Sequence, residues 1–127
     1  MTADTAETLE TRRAAIADLK AEGMAYRRLK LRCRPQTVDY RMMARLQAES
    51  EARLGAARAA LAEAELAAAT ALAAEYAQAV KAFVGAPIDS RGAGYADRLA
   101  ELDDQAAELV SLSVWDNLTD AALAALK

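Results

Sequence analysis

With 127 residues the chain is long enough for one domain, and it has no histidine, a single cysteine and a net charge of −3. This excludes an intrachain disulfide framework and a Cys/His zinc site, and it removes the commonest general base. Hydrophobic residues make up 54%, but 35 of them are alanine and the aromatics are one Trp, one Phe and four Tyr, so partner helices, from this or other chains, are expected to complete the burial that a small chain lacks.

The N-terminus, MTADTAETLETRR, is polar and acidic, and no signal peptide is expected there. Asp4 or Thr5 is placed to cap a first helix, with Glu7 or Glu10 in its opening turns. Leu9, Ile16, Leu19 and Tyr26 follow a short heptad pattern in which Arg12 and Gly23 fill the remaining core places. Gly23 costs about 1 kcal/mol relative to alanine in a helix interior, so a kink or a stop is expected there. Residues 28–34, RLKLRCR, alternate charged and apolar with the period of a strand. A helix or an extended arm is the preferred reading, because leucine and arginine are good helix formers and no partner strand is evident. Pro35 closes the segment by pushing Arg34 out of the helical region.

From Thr37 to Val84 there is no proline, and Gly55 is the one glycine. Between Ala56 and Ala82 the sequence is dominated by alanine, the best helix former. The pattern predicts one helix over 37–84, roughly 70 Å long at 1.5 Å per residue, with Thr37 as its cap. Met43, Leu54, Leu61, Leu72 and Phe83 form one stripe. Leu66, at 100° per residue, lies on a different side, and Tyr76 adds a ring one turn beyond Leu72. A helix that is apolar on more than one side is packed on more than one side. Met43, Leu54, Leu61, Leu66, Leu72, Tyr76 and Phe83 are therefore the candidate partner interface.

Residues 85–94, GAPIDSRGAG, form the clearest break. Gly85 suits a left-handed C-cap, Pro87 follows it, and the chain is expected to reverse. Tyr95, Leu99, Leu102, Ala106, Leu109 and Leu112 then give an amphipathic helix. Ser113 with Asp116 is a capping pair for a last helical piece that holds Trp115, Leu118, Leu123 and Leu126, unless the two pieces are one bent helix.

No catalytic constellation is present, and no catalytic residue, metal ligand or cofactor is assigned. Cys33 lies between two arginines, but no histidine stands by to serve as its base, so it is read as a passive thiol. Charge is unevenly placed. From Tyr26 to Leu46 there are seven Lys/Arg (Arg27, Arg28, Lys30, Arg32, Arg34, Arg41, Arg45) against Asp39. From Tyr95 to Asp120 there are seven Asp/Glu against Arg98. The first group is a candidate basic docking patch, and Glu101, Asp103, Asp104 and Glu108 are its acidic counterpart. Nucleic acid is the alternative ligand of the basic patch, although a chain with a pI near 5.0 is an unusual nucleic-acid binder.

The expected fold is all-α. It has an N-terminal helix and basic arm (1–34), a long helix (37–84), a reversal loop (85–94) and a C-terminal helical segment (95–127), arranged as one elongated domain, a coiled-coil-like hairpin or bundle. The expected function is non-enzymatic: a subunit or adaptor in a larger oligomeric assembly that works through helix packing and charge-complementary ends. In architecture alone, such a chain resembles small helical components of phage particles and of bacterial secretion or export machines. A chaperone that shields a partner helix and a nucleic-acid-associated protein are the alternatives. Expected partners are proteins, as a homo-oligomer or a larger hetero-assembly. No stretch reaches the roughly 20 apolar residues of a membrane span, so the expected location is the cytoplasm or a particle assembled there.

Overall fold

The computed structural model describes residues 1–87 and 94–127, and these form four helices with no strand among the described residues. They are α1 (Ala3–Arg32), α2 (Val38–Gly85), α3 (Tyr95–Ala107) and α4 (Leu112–Ala125). The contacts divide the chain into two compact units, Ala6–Glu63 and Met1–Thr5 with Ala64–Lys127. Among the described residues no helix is long and apolar enough to cross a membrane.

The first unit is a helical hairpin. Glu22 of α1 pairs with Arg53 of α2 at 2.7 Å, and the Ser50 hydroxyl donates to the Leu19 carbonyl at 3.4 Å. Leu19 and Ser50 lie almost equally far from Pro35 along the two arms, as an antiparallel pairing requires, and the long side chains of Glu22 and Arg53 bridge a small offset. Leu9 and Ser50 are buried, and Ile16, Leu19, Tyr26, Met43, Leu46, Leu54 and Leu61 are half-buried. α1 passes through Gly23 without a break. A Cβ at that position would lie 3.6 Å from Ser50 Oγ, so the glycine faces α2 and neighbouring turns hold the helix through it. α1 continues to Arg32, which settles residues 28–32 as helix: no strand stands beside them, and the local helix preference prevails.

The hairpin turn follows from Pro35. Its fixed φ suits the second position of a type II turn, and Gln36 takes the third with φ 69°. The Thr37 N–H closes the turn on the Arg34 carbonyl at 3.3 Å. Thr37 is the cap expected from the sequence: its hydroxyl oxygen accepts from Tyr40 N–H at 3.1 Å and its own hydroxyl donates to the Arg34 carbonyl at 2.7 Å. Two other caps differ from expectation. Thr2, not Asp4 or Thr5, accepts from the Thr5 N–H at 3.2 Å, because α1 starts at Ala3. Ser111, not Ser113, caps α4 through the Val114 N–H at 3.3 Å. Ser111 has the extended backbone that a cap needs, whereas Ser113 is already inside the helix.

The second unit packs the C-terminal part of α2 against α3 and α4. Its core is Ala68, Ala69, Leu72, Ala73 and Ala77 from α2, Leu102, Ala106 and Leu109 from the α3 segment, and Trp115 with Thr119 from α4. Alanine on α2 lets the other helices approach near the lower end, about 8 Å, of usual helix separations. Phe83 meets Tyr95 edge-on at 5.7 Å, and Arg98 bridges Glu75 at 3.1 Å and Glu101 at 3.3 Å, so α3 runs back along α2. The N-terminal ammonium reaches Gln105 Oε1 at 3.4 Å. α3 and α4 are two helices rather than one bent helix, separated at residues 108–111. Gly85 is the last residue of α2. It lacks the left-handed backbone expected of it: among the described glycines that conformation belongs to Gly94, with φ 78°. The rest of the expected reversal loop, 88–93, lies outside the described residues.

Candidate interaction surfaces

The candidate partner-interface residues of α2 fall into different environments. Leu72 is 1% exposed, enclosed by its own chain, and offers no surface to a partner. Tyr76 and Phe83 are half-buried against Trp115 and Tyr95. Met43, Leu54 and Leu61 are half-buried, and Leu66 is exposed.

The basic residues all belong to the end of the hairpin unit where α1 hands over to α2. Arg27, Arg28, Arg32, Arg34, Arg41 and Arg45 are exposed, and Lys30 is half-buried. Arg41 is held over the turn by the Thr37 carbonyl at 3.5 Å and the Gln36 carbonyl at 3.4 Å. Arg45 lies 3.8 Å from Glu49. Among the described residues the guanidinium groups of Arg27, Arg28, Arg32 and Arg34 have no ion-pair or hydrogen-bond partner. Asp39 sits in the first turn of α2, where a carboxylate complements the helix dipole. Cys33 is half-buried, and its thiol donates to the Leu29 carbonyl at 3.3 Å.

The same end carries exposed aliphatic side chains that the sequence reading missed: Met24, Leu29, Leu31, Val38 and Met42. Leu31 and Val38, on either side of the turn, are 70% and 72% exposed. The period-two pattern explains part of this. When an alternating segment is wound as a helix, its leucines point in different directions and one partner helix cannot cover them all. On α2, Val38, Arg41, Met42 and Arg45 surround a shallow concavity with the i, i+3, i+4, i+7 spacing of one helix face.

The acidic residues lie in the second unit. Glu101 is engaged by Arg98 at 3.3 Å. Asp103 accepts the Trp115 indole N–H at 2.8 Å, so it serves the fold. Asp104 and Glu108 are exposed. Tyr76, Asp103, Val110, Leu112, Trp115 and Asp116 line a hollow of ≈ 520 Å³. The Tyr76 phenol is held above the ordinary tyrosine range, first by burial and then by the charges of Asp103 and Asp116. The sequence offered little signal for this arrangement, because its parts come from three separate segments. Among the described residues no group of three or more His, Cys, Asp or Glu converges as a metal site.

Compared with known proteins, the chain matches no family model, no curated protein and no solved structure.

Proposed function

We propose that this chain is a non-enzymatic interaction protein, a subunit or adaptor of a larger assembly, and that the cation-rich end of its hairpin unit docks an acidic, amphipathic helix of a protein partner. The observation that carries the reading is the coincidence, at the turn end of the hairpin, of four arginines whose guanidinium groups have no partner among the described residues with five exposed aliphatic side chains. Seven cations alone would suit any polyanion. The aliphatic groups narrow the choice: they do not stack on bases as aromatic side chains do, and Tyr26 and Tyr40, the only rings nearby in sequence, are half-buried. The helical spacing of Val38, Arg41, Met42 and Arg45 suits a helix laid along α2, with carboxylates meeting the arginines and apolar residues meeting Val38 and Met42. Full burial of a Leu or Val side chain contributes on the order of 1.5–3 kcal/mol, so Leu31 and Val38 supply the affinity while the arginines set orientation and on-rate.

Fluorescence anisotropy with a labelled Glu/Leu amphipathic helical peptide tests this, with a scrambled peptide of the same composition, single-stranded RNA and phosphatidylserine vesicles as comparators. The peptide should bind with the salt dependence of a charged interface, and Leu31→Ser with Val38→Ser should weaken it at least tenfold. Binding to RNA or vesicles with none to either peptide would refute the reading.

A further inference from the structure

We propose that the hollow at the junction of α3 and α4 is a docking socket for the hairpin end of a second copy of the chain, so that copies associate head to tail. This rests on the reading of the hairpin end as a protein-docking surface and names a partner for it.

The hollow is lined by both apolar and anionic side chains. Val110, Leu112 and Trp115 supply the walls, while Asp103 and Asp116 supply charge. Leu112, 74% exposed, is the most exposed large hydrophobic residue among those described, and Val114 beside it is also exposed. At ≈ 520 Å³ the hollow far exceeds the about 30 Å³ share of one water molecule, so it has room for side chains. The hydrogen bond from Trp115 to Asp103 and the edge-on contact of Trp115 with Tyr76 at 5.7 Å fix its walls before any guest arrives. A suitable guest combines positive charge with aliphatic surface. Arginine is such a side chain: its guanidinium pairs with carboxylates bidentately and packs against aromatic rings.

The chain itself carries that guest. The hairpin end presents the guanidinium groups of Arg27, Arg28, Arg32 and Arg34 without partners among the described residues, flanked by exposed Leu31 and Val38. The charge excesses match in size. Residues 26–46 hold seven cations against one carboxylate, and residues 95–120 hold seven carboxylates against one cation. Two of those carboxylates, Asp103 and Asp116, line the hollow, so the two surfaces are opposite in charge and each carries exposed aliphatic side chains to bury. Because the two surfaces differ, the contact is heterologous, and every bound copy leaves one end and one socket open for the next.

The test is sedimentation equilibrium on the full chain and two variants. One, Arg28→Glu with Arg32→Glu, disables the end. The other, Leu112→Arg with Asp116→Arg, disables the socket. All four positions are exposed, and circular dichroism checks that each variant keeps its helix content. The wild-type chain should gain mass with concentration at an ionic strength of about 0.05 M. It should lose at least tenfold in association constant near 1 M, where the Debye length shrinks to about 3 Å. Each variant alone should be monomeric. An equimolar mixture should form a dimer and nothing larger, since it holds one working end and one working socket per pair. A wild-type chain that stays monomeric at low salt, variants that still self-associate, or a mixture that fails to pair would each overturn the inference. The socket variant should bind the acidic peptide as the wild type does. If the wild-type chain binds the peptide but not itself, the socket inference alone falls. If the peptide also fails to bind the wild type, the hairpin-end reading falls with it.

Discussion

Replacing Gly55 by alanine should stabilise the hairpin unit. Gly55 lies inside α2 with an exposed surface, and a Cβ there would meet no heavy atom within 4 Å. The substitution removes no contact and introduces no clash. What remains is the intrinsic preference of alanine over glycine, about 1 kcal/mol in a helix interior, much of which acts by restricting the unfolded chain. For a chain of this size that amounts to a rise of about 3–5 °C in Tm. Gly23→Ala should do at least as well, because its methyl group would rest 3.6 Å from Ser50 Oγ, an ordinary contact that adds a little burial. The double variant should reach about the sum, since a Cβ at Gly23 meets Ser50 and one at Gly55 meets nothing within 4 Å, so the two sites share no partner. Amide hydrogen exchange across 6–63 is the sharpest assay: 1 kcal/mol slows global-opening exchange about fivefold. Faster exchange in Gly55→Ala would refute the reasoning. Unchanged stability together with lost self-association would mean instead that a partner approaches α2 at Gly55.

Other outcomes follow from single contacts. Gln36→Gly should add up to about 1 kcal/mol to hairpin stability, because a left-handed backbone costs roughly 1–2 kcal/mol in a residue with a Cβ and glycine returns only part of that as entropy; urea midpoints read the change. Asp103→Ala leaves the Trp115 indole N–H, now bonded at 2.8 Å, without an acceptor at a buried ring. It should cost about 1–3 kcal/mol and alter the tryptophan fluorescence maximum. Tyr76 gives a pH signature. Burial, then Asp103 and Asp116, raise its pKa above 10.0, so the unfolded chain ionises this phenol first. The corresponding stability is present below the unfolded value and is lost as pH rises through the folded one. Urea midpoints should therefore fall above about pH 10, and less steeply in Tyr76→Phe; equal slopes would show that Tyr76 does not contribute.

The helices were legible because their signals are local. Thr37 before a proline-free run marked the start of α2, and the Gly/Pro cluster after Val84 marked its end. Ser111 was misread because two serines flank Leu112, and only the path of the incoming backbone selects between them. The role of Leu72 was hidden for a different reason. A stripe on a helix shows that something covers it, but not whether the cover is foreign or the chain's own. The same limit applies to Leu31 and Val38. Their exposure depends on how α1 and α2 are rotated about each other, which no single-helix pattern specifies. The charge runs were plain in the sequence, but the pairing of Asp103 with Trp115 was not. It joins residues twelve apart on different helices, with no motif to announce it.

The alanines of the second unit also determine how this chain tolerates change. Most protein cores are damaged by truncation, because large side chains leave holes. Ala68, Ala69, Ala73, Ala77 and Ala106 are buried and have only a methyl group to lose. Enlargement is the hazard here: an added pair of methylenes has no room between closely approaching backbones, and overpacking costs typically 1–3 kcal/mol per site. A mutational scan of these five positions should therefore be inverted, with glycine and serine milder than valine or leucine. Sequence drift in this unit is then confined mainly to residues no larger than those already present.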